Sequence, residues 1–130
     1  MATITEDYVS FEIAKLLKEK GFDESISMVY MSYGDLCKLH RYDSIRNSNY
    51  NDITKNYFEC TAPTHQMAMK WLREAHDIVI VVTPSMFWKK YNVSIYKSND
   101  YPIGFDGDSL YSSYEEAVEA AIKYSLENLI

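Results

Sequence analysis

The stretch from Pro63 to Val82 constrains the fold of this chain most, because a helix pattern runs directly into a strand pattern. Pro63 suits the first turn of a helix, where its missing N–H costs no hydrogen bond. Apolar residues then recur with helical spacing, at Ala68, Trp71, Leu72 and Ala75. Residues 78–82 are a continuous apolar run, which is typical of a strand buried on both faces. We therefore expect a central helix followed at once by the central strand.

Local patterns predict the elements around this stretch. Helical spacing indicates a first helix from Asp7 to Lys20, stopped by Gly21 and Phe22 as in a Schellman motif. Residues 25–33 are rich in strand formers and predict a strand. Alternation over residues 91–96 predicts a second strand, which forms a hairpin with residues 78–82. A capping box, formed by Ser112 with Glu115 or by Ser113 with Glu116, begins the last helix.

The segment from Asp35 to Thr61 has no lasting period of 2 or 3.6 residues. One interpretation is a hairpin of two short strands, "CKLHRY" and "NYFEC", with "RNSNYN" at its tip. The other is an irregular loop, whose length inside a compact domain would itself indicate a function.

The order of these elements predicts the fold class. It is α+β, with three helices packed on a small, mainly antiparallel sheet in the order α-β-(hairpin or irregular)-α-β-β-α. The chain shows neither internal repeats nor a linker, so residues 1–130 are expected to form a single domain.

Charge and hydropathy exclude several classes of partner. A net charge of −6 leaves no broad basic face, so duplex nucleic acid is not an expected partner. The N-terminus has acidic residues where a secretory signal carries positive charge, and no apolar run approaches the roughly 20 residues that span a bilayer. We expect a cytoplasmic protein without membrane contact. Its cysteines, Cys37 and Cys60, should then be reduced thiols.

Two cysteine–histidine pairs, Cys37 with His40 and Cys60 with His65, offer the ligand types that zinc prefers. Their separation matches no common zinc motif, and a core of this size needs no metal to fold. The four glycines form no phosphate-binding loop, so nucleotide-loop motifs are also missing. We therefore expect neither a metal nor a cofactor.

A small enzyme is the alternative function. Cys60 precedes a predicted helix, whose N-terminus would favour a thiolate, and His65 could act as its base. However, no signature of a cysteine enzyme surrounds either cysteine, so the chain is predicted not to be an enzyme. A pocket that sequesters a small molecule or nucleotide is a further alternative, and it would need an enclosed cavity with convergent polar groups.

Aromatic and amide side chains make a binding surface the favoured interpretation. The chain has twelve tyrosines, and rigid rings mixed with adaptable amides are common in contact surfaces. The candidate binding residues are Tyr42, Asn47, Asn49, Tyr50 and Asn51 in the irregular segment, with Trp88 in the connection between the last two strands. The competing explanation is that the tyrosines stabilise the sheet through cross-strand pairs.

Three blocks carry a resemblance: "YVSFEIAKLLKEKGF", "APTHQMAMKWLREAH" and "SYEEAVEAAIKYSLENLI". Together they resemble short proteins of gut Bacteroides-type bacteria and of their phages and mobile elements, a group with no assigned function. The resemblance implies a cytoplasmic accessory protein that binds a component of the host or the virus, and it transfers no site residue. We thus expect a non-enzymatic binding protein of phage or mobile-element origin. The sequence leaves open whether it binds a protein or a small ligand and whether it forms a homo-oligomer.

Overall fold

The computed structural model describes residues 4, 6–24, 26, 28–33, 36–41, 58–86, 89–97 and 110–130. Within these residues the chain forms three α-helices and two small antiparallel sheets, which confirms the α+β class. The elements in chain order are α1 (Phe11–Glu19), β1 (Met28–Tyr33), β2 (Leu36–Arg41), β3 (Phe58–Thr61), α2 (His65–His76), β4 (Ile78–Pro84), β5 (Tyr91–Lys97) and α3 (Tyr114–Asn128).

The chain divides into two compact units. We call Tyr8–Thr64 the N-terminal unit, and Met1–Asp7 together with His65–Ile130 the C-terminal unit. The first holds α1 and β1 to β3, and the second holds α2, β4, β5 and α3. The single domain expected over residues 1–130 stays a prediction.

Helix α1 is shorter at its start than the predicted span from Asp7. Ser10 has an extended backbone, and its hydroxyl accepts a hydrogen bond from the Ile13 N–H at 3.3 Å. This N-cap fixes the first helical residue at Phe11. The predicted stop is confirmed, because Gly21 has a φ of 95° and the Phe22 N–H donates to the Leu17 carbonyl at 2.9 Å.

The N-terminal unit contains a three-stranded antiparallel sheet in the order β2-β1-β3. The predicted short strands exist, but they pair with β1 and not with each other, so the predicted hairpin between them is wrong. Only Gly34 and Asp35 separate β1 from β2, and two-residue connections are the commonest in β-hairpins. The predicted tip, Arg46–Asn51, lies outside the described residues.

The C-terminal unit contains a two-stranded antiparallel sheet with α2 and α3. Strands β4 and β5 pair along their whole length, from Ile78 opposite Lys97 to Pro84 opposite Tyr91. Helix α3 packs against both strands and against α2, while α2 packs against β4. The buried residues of this core include Ala68, Leu72, Ile78, Ile95, Val118, Ala121, Ile122 and Leu126.

Strand β4 is not buried on both faces, so this prediction is wrong. Ile78 is buried, but Val79 and Val81 on the opposite face are each 38% exposed. Within the described residues β4 pairs with β5 alone, so it is an edge strand of the described sheet and not the predicted central strand. A continuous apolar run does not encode which face other elements cover, and here α2 and α3 pack against β4.

The predicted capping box at the start of α3 forms around Ser113. The Ser113 hydroxyl accepts from the Glu116 N–H at 3.1 Å, and Glu116 Oε2 accepts from the Ser112 N–H at 3.2 Å. Of the two predicted pairs, the structure therefore selects Ser113 with Glu116.

Candidate functional site

The candidate binding residues of the sequence analysis are not described by the structure. Tyr42, Asn47, Asn49, Tyr50, Asn51 and Trp88 all lie outside the described residues. Their role in binding stays a prediction.

The cysteine and histidine candidates for a zinc site are only partly described. Cys37 and His40 lie on β2, but their side chains are not described, and Cys60 is buried in β3. Among the residues whose side chains are described, no group of three or more histidines, cysteines and carboxylates is arranged to hold a metal.

Cys60 lacks the exposure that the alternative enzyme requires. A nucleophilic thiol must be reached by its substrate, whereas Cys60 is only 2% exposed. A buried cysteine of this kind behaves as a small apolar residue. Cys60 belongs to the N-terminal unit, whereas His65 belongs to the C-terminal unit and bonds Glu119 there.

His65 is the first residue of α2 and is bound to α3 through a carboxylate. Its Nε2 lies 2.8 Å from Oε1 of Glu119, and the imidazole is buried while the carboxylate is about a quarter exposed, at 27%. The carboxylate accepts the hydrogen bond, and the imidazole donates it. The His65 backbone N–H also donates to the Asp7 carbonyl at 2.9 Å.

This histidine–carboxylate pair has a structural explanation. A buried polar group costs free energy unless it is hydrogen-bonded, and Glu119 satisfies the imidazole that the helix pattern places in the core. The bond also joins the start of α2 to the middle of α3. We therefore assign the pair to the core of the C-terminal unit.

Removing the carboxylate tests this structural role. We expect Glu119→Ala to lower the free energy of unfolding by about 1–3 kcal/mol, because the buried imidazole loses its acceptor. Glu119→Gln keeps an acceptor at the same place and should cost clearly less. Urea unfolding of both variants measures the difference. Equal and negligible losses would show that the pair contributes nothing to stability.

Exposed side chains of β4 lie on the side of the two-stranded sheet opposite to Ile78. We call this side the outer face and define it by Val79, Val81 and Thr83 of β4 with their partners Tyr96, Ser94 and Asn92 of β5. Successive side chains of a strand point to opposite faces, so these six share one face. The β4 residues are exposed and the β5 residues are half-buried.

The outer face is apolar on β4, and it carries no formal charge. Val79 and Val81 are next neighbours on this face, and each exposes 38% of its surface. None of the six residues of the outer face is acidic or basic. Along a strand with one exposed face, apolar residues that face the core usually alternate with polar residues that face solvent. In β4 the residues on both faces are apolar from Ile78 to Val82. This pattern distinguishes the outer face from an ordinary solvated sheet surface.

The connection after β4 is basic, in contrast to the uncharged strand. The Ser85 N–H donates to the Lys90 carbonyl at 2.9 Å, which closes the connection. Met86, Lys89 and Lys90 are exposed, and Lys89 has a φ of 61°, in the left-handed region that non-glycine residues seldom adopt. Lys90 Nζ donates to the Ser112 hydroxyl at 3.5 Å. Cationic side chains therefore lie at one end of β4.

Comparison of the chain with models of protein families, with curated proteins and with solved structures gives no match. Among the described residues, no helix has the length and apolar character needed to cross a membrane.

Proposed function

We propose that this chain is a non-enzymatic binding protein and that the outer face is its contact surface. The observation that carries the proposal is the pair of neighbouring exposed valines, Val79 and Val81, on a face without formal charge. Exposed apolar residues that adjoin one another can mark a site where another molecule binds. Asn92 and Ser94 provide polar groups beside the valines, as the rim of an interface does.

The shape of this surface favours a protein partner. The side of a two-stranded sheet offers its side chains to another surface, whereas a small molecule or nucleotide would be enclosed by a pocket with convergent polar groups. The burial of Cys60 and of His65 argues in the same direction, since a substrate would have to reach both the nucleophile and its base. A protein partner is thus preferred to a small ligand and to the enzyme alternative.

The proposed setting is the cytoplasm of a bacterium that carries the gene on a phage or mobile element. The resemblance of the three sequence blocks to such proteins supports this origin, and the net charge of −6 argues against duplex nucleic acid as the partner. The partner would then be a protein of the host or of the virus.

Replacing both exposed valines with threonine tests the proposal. Threonine has the same branched shape and a high strand propensity, so Val79→Thr, Val81→Thr should remain folded with nearly unchanged stability. It removes one methyl from each residue and adds a hydroxyl, so we expect at least about a tenfold loss of affinity, equivalent to about 1.4 kcal/mol. Proteins captured from a lysate of the source cells identify the partner, and calorimetry then measures the affinity.

Met67→Thr is the matched control, because Met67 lies on α2 and exposes the same 38% as each valine. This variant should capture the partner as the wild-type chain does. If the folded double variant captured every partner with unchanged affinity, the outer face would not be the contact surface.

A further inference from the structure

Among the described residues, β4 is an edge strand of its sheet. Within the described residues β4 pairs with β5 on one side only, from Ile78 to Pro84. In an antiparallel pair, alternate residues direct their N–H and C=O groups away from the partner strand. An edge of this kind is a template for a further strand.

Strand β4 has few of the features by which natural proteins protect an edge. Charged side chains, bulges and prolines normally prevent pairing with another chain. Residues 78–84 contain no charged side chain, and the register with β5 has no shift. Pro84, the single proline, is the last residue of the strand, where it leaves the preceding residues free to pair.

We propose that β4 pairs with β4 of a second copy of this chain. The two strands run antiparallel about a twofold axis at Val81, which joins the two sheets in the order β5-β4-β4-β5. Such an interface is self-complementary, as twofold symmetry requires. This inference goes beyond the proposed function, because it uses the edge of the strand, and the outer faces of both copies stay available.

The side chains of β4 suit this register. Val81 lies opposite Val81 of the second copy, Ile80 opposite Val82, and Val79 opposite Thr83. Every one of these pairs consists of β-branched residues, which stabilise antiparallel sheets through cross-strand contacts. The valines of the two outer faces then form one continuous apolar strip.

The charges at the two ends of β4 favour the antiparallel direction. Asp77 is exposed immediately before the strand, and Lys89 and Lys90 are exposed in the connection after it. Antiparallel pairing brings the acidic end of each strand near the basic end of the other, whereas parallel pairing would bring like charges together. Each copy carries a net charge of −6, which opposes association, so local complementarity of this kind favours the dimer.

Opposite charges placed at the twofold axis test the proposal. Sedimentation velocity over a concentration series should show a reversible dimer of the wild-type chain. Val81→Lys and Val81→Glu should each sediment as monomers, because each places two like charges opposite one another. An equimolar mixture of the two variants should form a heterodimer, because the charges across the axis are then opposite. Circular dichroism of each variant checks that the exposed substitution leaves the fold intact.

Met67→Lys is the control, because it adds a charge at an equally exposed position on α2 and should remain dimeric. A wild-type chain that is monomeric at every concentration overturns the proposal. A dimeric Val81→Lys variant, or a mixture that stays monomeric, overturns it as well. None of these results depends on capture of a partner, so failure of the dimer and failure of the proposed function are distinguishable.

Hydrogen exchange supplies a test that needs no variant. Amides of residues 78–83 that point away from β5 should be protected at high concentration and should exchange faster on dilution. Exchange rates that do not change with concentration would contradict the proposal.

Discussion

Replacing Trp71 with alanine is expected to lower the free energy of unfolding by about 3–5 kcal/mol. The Trp71 side chain is only 8% exposed, and its ring lies edge-to-face against His76 with 4.8 Å between centroids. Truncation removes a large buried apolar surface and leaves a cavity that the rigid core fills only partly. Since small domains are stable by about 5–15 kcal/mol, the loss should be obvious in urea unfolding.

Arg73→Ala is the matched control, because Arg73 is exposed on the same helix and alanine preserves helix propensity. Its unfolding midpoint should stay near that of the wild-type chain, with a change within about 0.5 kcal/mol. A Trp71→Ala variant as stable as this control would show that α2 packs through a different face.

Periodicity predicted the position of α2 and most of its buried face. Ala68, Trp71 and Leu72 are buried as the helical spacing indicated, but Ala75 is exposed. The buried face also includes His65 and Met69, which lie nearly in line with Leu72 on an ideal helix. A count of apolar residues alone omits a histidine in the core, because its burial depends on a partner elsewhere in the chain.

That partner explains why the histidine–carboxylate pair could not be predicted. Glu119 is 54 residues from His65, and nothing local to either residue indicates the other. The sequence offers only an indirect signal, which is that Glu119 follows Val118 near the apolar side of the last helix. The sequence alone makes His65 a candidate base for Cys60.

The outer face shows the same limit for a strand. The run from Ile78 to Val82 correctly predicted a strand after a helix, but β4 continues through Thr83 to Pro84, where the sequence indicated its end. The continuous apolar run predicts burial on both faces, because strands of parallel sheets that are buried on both faces have such runs. How many strands join a sheet is a long-range property, and here the described sheet has two strands. The exposure of Val79 and Val81, which the apolar run did not predict, is the observation that supports the proposed function.

Replacing Phe22 with alanine should destabilise the N-terminal unit by about 3–5 kcal/mol, the second large effect that we expect. Phe22 is 1% exposed and anchors the end of α1, where its N–H bonds the Leu17 carbonyl. Gly21→Ala tests the backbone turn separately from the buried ring. A Cβ at this position meets no atom within 4 Å, so the expected loss of stability comes only from an alanine at a φ of 95°, and it is about 1–2 kcal/mol. Urea unfolding should therefore rank Phe22→Ala as clearly less stable than Gly21→Ala. The reverse order would mean that the backbone turn, and not burial of the ring, fixes the end of α1.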